Sequence, residues 1–157
     1  MGQATEHGSI ERELFIEASP DVVFEVVSRP EHIREWWDAE TAVEPEAGSA
    51  GSLTWRDDAS GRVDVVSITI VEVDRPHRFV FRWVHPSGEE ATAANSLLVT
   101  FALTPSGSGT LLRMTETGFR EVGWDVAALE EAYRDHVSGW DHFLPRIAAR
   151  ATSVVSS

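Results

Sequence analysis

From Thr41 to Thr117 the sequence reads as strand after strand with only short turns between, and a single long amphipathic helix follows. That order constrains the fold more than any other feature. "GSLTWRD" places Leu53 and Trp55 on one face and Thr54 and Arg56 on the other. "VDVVSITIVEVD" is a long β-branched run that turns at Asp74-Arg75-Pro76. "RFVFRWVHP" puts Phe79, Phe81 and Trp83 on one side, and "NSLLVTFALTP" groups Leu97, Val99, Phe101 and Leu103. "SGSG" (Ser106 to Gly109) is a hairpin turn, after which Leu112, Met114 and Glu116 share a parity. Closely spaced alternating strands joined this way predict a meandering antiparallel sheet.

Such a sheet needs its apolar face covered. From Asp125 to about Ala149, apolar residues recur at Val126, Leu129, Tyr133, Val137, Trp140, Leu144 and Ile147, the spacing of a helix of about seven turns. Gly139 interrupts it. A glycine costs about 1 kcal/mol in a helix interior, so close packing or a bend is expected there. Ahead of the sheet, "IERELFIEA" (Ile10 to Ala18) alternates as a first strand. Ser19-Pro20 then opens a helix as N-cap and first-turn proline, and Arg29-Pro30 ends it. A second short helix carries Ile33, Trp36 and Trp37. The predicted class is α+β, a curved antiparallel sheet of about six or seven strands wrapped round a long C-terminal helix, with two short helices after the first strand. Residues 1–9 read as a flexible N-terminus, 10–150 as one domain and 151–157 as a flexible tail.

Two adjacent tryptophans in "PEHIREWWDAE" are unusual. Neighbours on a helix point about 100° apart, so both cannot centre one apolar stripe. Trp36 follows Ile33 by three residues and belongs to the core. Trp37 is expected at the mouth of any cavity between sheet and long helix.

The chain has 157 residues, enough for one domain with a real core. The start lacks a basic segment followed by an apolar one, so no secretory signal is expected. No apolar run approaches the ~20 residues of a membrane helix. There is no cysteine, which excludes disulfides, thiolate metal sites and cysteine nucleophiles. A formal charge of −13 repels phosphate backbones and anionic membranes, so neither nucleic acid nor membrane insertion is expected. The reading is cytoplasmic, as monomer or homodimer.

The segments "FIEASPDVVFEVVSRPEHIREWW", "GSLTW", "VEVDRPHRFVFRW", "LLVTFALTPSGSGTLLRMTETGF" and "HVSGWDHFLPRI" together resemble the START-like superfamily, also called polyketide cyclase or Bet v 1-like (SRPBCC) proteins. More narrowly, the sequence resembles the branch related to the C-terminal domain of the activator of Hsp90 ATPase. The resemblance covers about residues 10 to 149. It implies a helix-grip fold with a cavity between sheet and C-terminal helix. Members bind lipids, sterols and polyketides, some act as cyclases, and the eukaryotic domain stimulates a chaperone ATPase. A chaperone or other protein partner is therefore a second expectation, beside a small apolar or aromatic ligand.

The expected ligand contacts are Trp37, Trp55, Phe79, Phe81, Trp83, Phe101, Met114, Glu116, His136 and Trp140. The aromatic strand residues offer apolar area at about 25 cal/mol/Å². Glu116 continues the face of Leu112 and Met114, and a carboxyl facing a partly apolar cavity suits acid or base work. His136 lies three residues after Tyr133 and four before Trp140, beside the buried stripe. With Gly139 and Trp140 it matches the HxxGW pattern of the resembled branch. Glu116 and His136 are the candidate catalytic pair of a cyclase or hydratase reading. No motif demands chemistry, so binding is preferred to catalysis. No cofactor is expected. His136 and His142 are six apart, about 240° round a helix, and the other histidines lack ligand spacing, so no metal site is expected.

Overall fold

The computed structural model describes residues 8–86 and 88–156. Of the N-terminal residues 1–9, only the last two lie inside that range, and Ser9 already begins a strand. The elements are β1 (Ser9–Ile16), α1 (Pro20–Ser28), α2 (Pro30–Trp37), β2 (Glu40–Ala42), β3 (Ala50–Asp57), β4 (Arg62–Asp74), β5 (Arg78–His85), β6 (Leu97–Ser106), β7 (Gly109–Thr117) and α3 (Val126–Ser156). One seven-stranded sheet runs β1-β7-β6-β5-β4-β3-β2, with antiparallel neighbours throughout. This is the α+β architecture that the order of elements predicts, in the helix-grip form that the resemblance implies.

Local chemistry sets the short helices. The Ser19 hydroxyl accepts the Val22 amide (3.3 Å) with Pro20 in the first turn, and Arg29 leaves helical geometry ahead of Pro30. Helix α2 stops at Asp38, which is left-handed at φ +55°. The Trp36 indole N–H donates to the Val26 carbonyl (2.8 Å) and ties α2 to α1.

The sheet bends at two irregularities between β4 and β5. Trp83 faces Ile68 and His85 faces Ser67, leaving Val84 as an extra residue at φ +63°. Phe81 faces Ile70 and Val80 faces Glu72, leaving Val71 extra on β4. An unpaired extra residue kinks its strand and increases the local twist. The core lies on the concave side, where Leu53, Ile68, Ile70, Phe79, Phe81, Leu97, Val99, Phe101, Leu112 and Met114 are buried against the helices.

Helix α3 packs against α1, α2 and β1, and it buries Trp140, Leu144, Ile147 and Ala151 at spacings of four, three and four. Two expectations need correction here. The helix does not end near Ala149. It continues to Ser156, so most of the segment read as a flexible tail is helical, anchored by the buried Ala151. Gly139 does not mark close packing either. A Cβ placed there would meet nothing within 4 Å. Pro145 stands inside α3, where it removes one helical N–H donor.

Candidate functional site

β7 lies between β1 and β6, so Glu116 is flanked by Ile10 on one side and Val99 on the other. Its inward parity then carries the carboxylate under α3, and Glu116 is 0% exposed. The chain leaves the sheet directly afterwards, at Gly118 (φ +109°).

Three N–H groups converge on this side chain. Oε2 accepts from the Trp83 indole (2.7 Å), and Oε1 accepts from the Trp140 indole (2.8 Å) and from His136 Nδ1 (2.9 Å). An indole nitrogen only donates, so the carboxylate serves as acceptor through both oxygens. The donors come from β5 and α3, and the node therefore pins the long helix to the sheet. Among the described residues every buried side-chain nitrogen and oxygen is hydrogen-bonded.

The same geometry assigns the imidazole's polarity. Nδ1 facing a carboxylate carries the hydrogen, and in the neutral form of the ring Nε2 is then the acceptor. Nε2 has no partner among the described residues. His136 keeps 18% of its side chain exposed, and it forms part of the wall of a cavity of about 130 Å³. Trp37, Trp55, Trp83 and Trp140 form most of the rest, and Asp135, Gly139 and Phe143 complete it from α3.

The indoles of this wall hold one another in place. Trp37 stacks on Trp36 with centroids 5.0 Å apart and planes at 17°, and it meets Trp55 edge-on at 5.5 Å and 84°. Trp83 and Trp140 close on Trp37 at 4.8 and 5.3 Å. The Trp55 N–H donates to the Trp37 carbonyl (2.8 Å). Trp37 is only 3% exposed, so it is not the open rim residue its helical phase suggests. It sits on the last turn of α2, with Trp36 against one side and the sheet and α3 against the others. It plugs most of the gap and leaves a small cavity beside it.

The structure thus brings together Trp37, Trp55, Trp83, Glu116, His136 and Trp140 of the expected set. Phe79, Phe81, Phe101 and Met114 lie deeper and are fully buried. Phe79 packs edge-on against Phe24 (6.2 Å), and Phe101 packs against Trp36 and Trp140 (6.2 and 6.0 Å). Asp135, Gly139 and Phe143 were missed as cavity residues. Their spacing of four is a second helical stripe alongside the apolar one, a signal that was present in the sequence.

A larger, open cleft of about 630 Å³ lies where β5 leaves β4, lined by Val65, Val66, Ser67, Val84, His85, Pro86, Ala94, Asn95, Val122 and Trp124. Its histidine and amide are already engaged. His85 Nε2 pairs with the Thr69 hydroxyl (3.1 Å), and Asn95 bonds the Glu90 carbonyl (2.9 Å) and the Thr92 amide (2.7 Å). Phe119 stands between the two openings, 6.5 Å from Trp124 and 5.4 Å from His136. Among the described residues no three acidic, histidine or cysteine side chains are grouped to hold a metal ion, and no helix is long and apolar enough to cross a membrane.

Solved structures share this architecture. MLL2253 from Mesorhizobium loti is 22% identical with a TM-score of 0.70, over 92% of this chain and 97% of that one. NE0264 from Nitrosomonas europaea is 14% identical with a TM-score of 0.75, over 97% and 99%. DynU16, a protein in the dynemicin biosynthetic locus, is 21% identical with a TM-score of 0.62. There the match covers 90% of this chain but 46% of that one. No curated protein matches the chain at a significant level. Residues 17–152 match the family described as activator of Hsp90 ATPase homolog 1-like protein, and this chain belongs to that START-like (SRPBCC) family.

Proposed function

We propose that the protein binds a small apolar or aromatic molecule in the cavity between the sheet and α3. The observation that carries this is the junction of an indole-lined space with an imidazole nitrogen that has no partner among the described residues. The walls supply apolar contact, and Nε2 supplies one oriented acceptor. Few convergent polar groups in a mostly apolar pocket is the usual composition of a small-molecule site.

Size narrows the ligand. About 130 Å³ is comparable to an engineered apolar cavity of ~150 Å³ that takes up benzene, so a single ring fits and a sterol does not. With so few ligand atoms, affinity for a monocyclic compound is expected at a Kd on the order of 0.1–1 mM. Calorimetric titration of toluene and phenol tests the reading. Saturable one-to-one binding, with phenol stronger because its hydroxyl donates to His136, supports it. Linear, unsaturable heats for both compounds would remove it.

A catalytic reading has one specific observation in its favour. A carboxylate that orients an imidazole through Nδ1–H leaves Nε2 placed as a general base toward the cavity. Under that reading Glu116 is a positioning residue and His136 the group that meets substrate. Turnover whose pH–rate profile is unmoved by Glu116→Gln would separate Glu116 from any such chemistry.

A further inference from the structure

We infer that the ligand of this cavity is a small protonated amine, an alkyl- or arylalkylammonium whose N–H meets His136 Nε2 and whose N-alkyl groups rest on the tryptophans. The inference rests on the cavity being a binding site, as proposed above, and goes on to give the ligand a charge.

Four features of the wall favour a cation. The first is the indoles themselves. Trp37, Trp55 and Trp83 form a corner with centroids 4.8 to 6.3 Å apart, and tryptophan is the strongest of the aromatic side chains for a cation over its ring. The second is Glu116. Trp83 and Trp140 both give their N–H to this buried carboxylate, which pushes electron density into the indole rings and enriches the faces a cation would meet. The third is Asp135, which stands exposed on the same wall with no arginine beside it in the lining. A carboxylate there would repel an anionic ligand and attract an ammonium. The fourth is Nε2, without a partner among the described residues and, in the neutral ring, an acceptor suited to an ammonium N–H. The net charge of −13 adds a long-range field of the same sign.

Three probes of nearly one shape isolate the terms. Trimethylammonium carries a charge and one N–H, tetramethylammonium the charge alone, and tert-butanol one O–H without charge. Isothermal titration at constant ionic strength, with sodium chloride as the blank, should rank them in that order. Trimethylammonium is expected about tenfold tighter than tert-butanol and about threefold tighter than tetramethylammonium. Asp135→Asn should shrink the ratio between trimethylammonium and tert-butanol severalfold. Trp55→Ala, at a half-buried position, should lower affinity for both cations. If tert-butanol and toluene bind as well as the cations, the charge assignment is wrong while the cavity stands as an apolar site. If neither cations nor neutral compounds bind, this inference and the binding reading beneath it both fail.

Discussion

Two openings of the molecule, the valine-lined cleft and the indole-lined cavity, differ in a way that volume alone hides. The cleft beside β4 and β5 encloses about 630 Å³ and the cavity under α3 about 130 Å³. In the cleft, His85 and Asn95 spend their hydrogen bonds on neighbouring protein groups. In the cavity, His136 is oriented by a buried carboxylate and keeps one nitrogen without a partner among the described residues. Apolar area gives a ligand affinity without direction, whereas an oriented acceptor gives it a preferred pose. The smaller space is therefore the better candidate.

Substitutions test this contrast. The largest effect is expected from Glu116→Ala. It leaves two buried indole N–H groups and the His136 N–H without their acceptor, and should cost at least about 3 kcal/mol in a denaturant titration. A loss below about 1 kcal/mol would mean that the node does not hold α3 to the sheet. Next comes binding itself. Gly139→Leu projects a side chain into open space and should abolish toluene and phenol binding while the fold persists by circular dichroism. Val65→Lys, in the cleft, should leave the same isotherms unchanged. Gly139→Ala is smaller and of opposite sign. Its Cβ meets nothing within 4 Å, so relief of glycine's helix penalty should raise stability by about 0.5–1 kcal/mol.

The smallest effect is a pH dependence remote from both openings. Burial, then the neighbouring Arg150, hold the His32 imidazole below its ordinary value, and Arg150 donates to its Nδ1 (3.1 Å). The unfolded chain takes up this proton first, near pH 6.5. The contribution of His32 is therefore fully present above that pH and is lost as pH falls through the lower folded value. Stability measured from pH 7.5 to 5 should fall more in the parent than in His32→Gln.

Much of this site was legible in one sequence. Strand parity placed Glu116 on the face of Leu112 and Met114, and helical spacing placed His136 beside Trp140, so the pair could be named together. What could not be read was how the packed elements share space. Phase on α2 separates Trp36 from Trp37, yet both are buried because the helix ends at Trp37 and is enclosed from two sides. Gly139 reads as a point of close approach by propensity, and only the neighbouring elements reveal an opening. The stretch after Ala149 has weak helix formers in Thr152, Ser153, Val154 and Val155, but Ala151 packs into the core and tertiary contact overrides propensity.

A ligand is expected to enter beside His136 and not in the valine cleft. A crystal soaked with iodobenzene tests it most directly, since iodine locates itself by anomalous scattering. A peak is expected within the space bounded by Trp55, His136 and Gly139. A peak confined to the cleft between Val65, Val84 and Trp124 would contradict it.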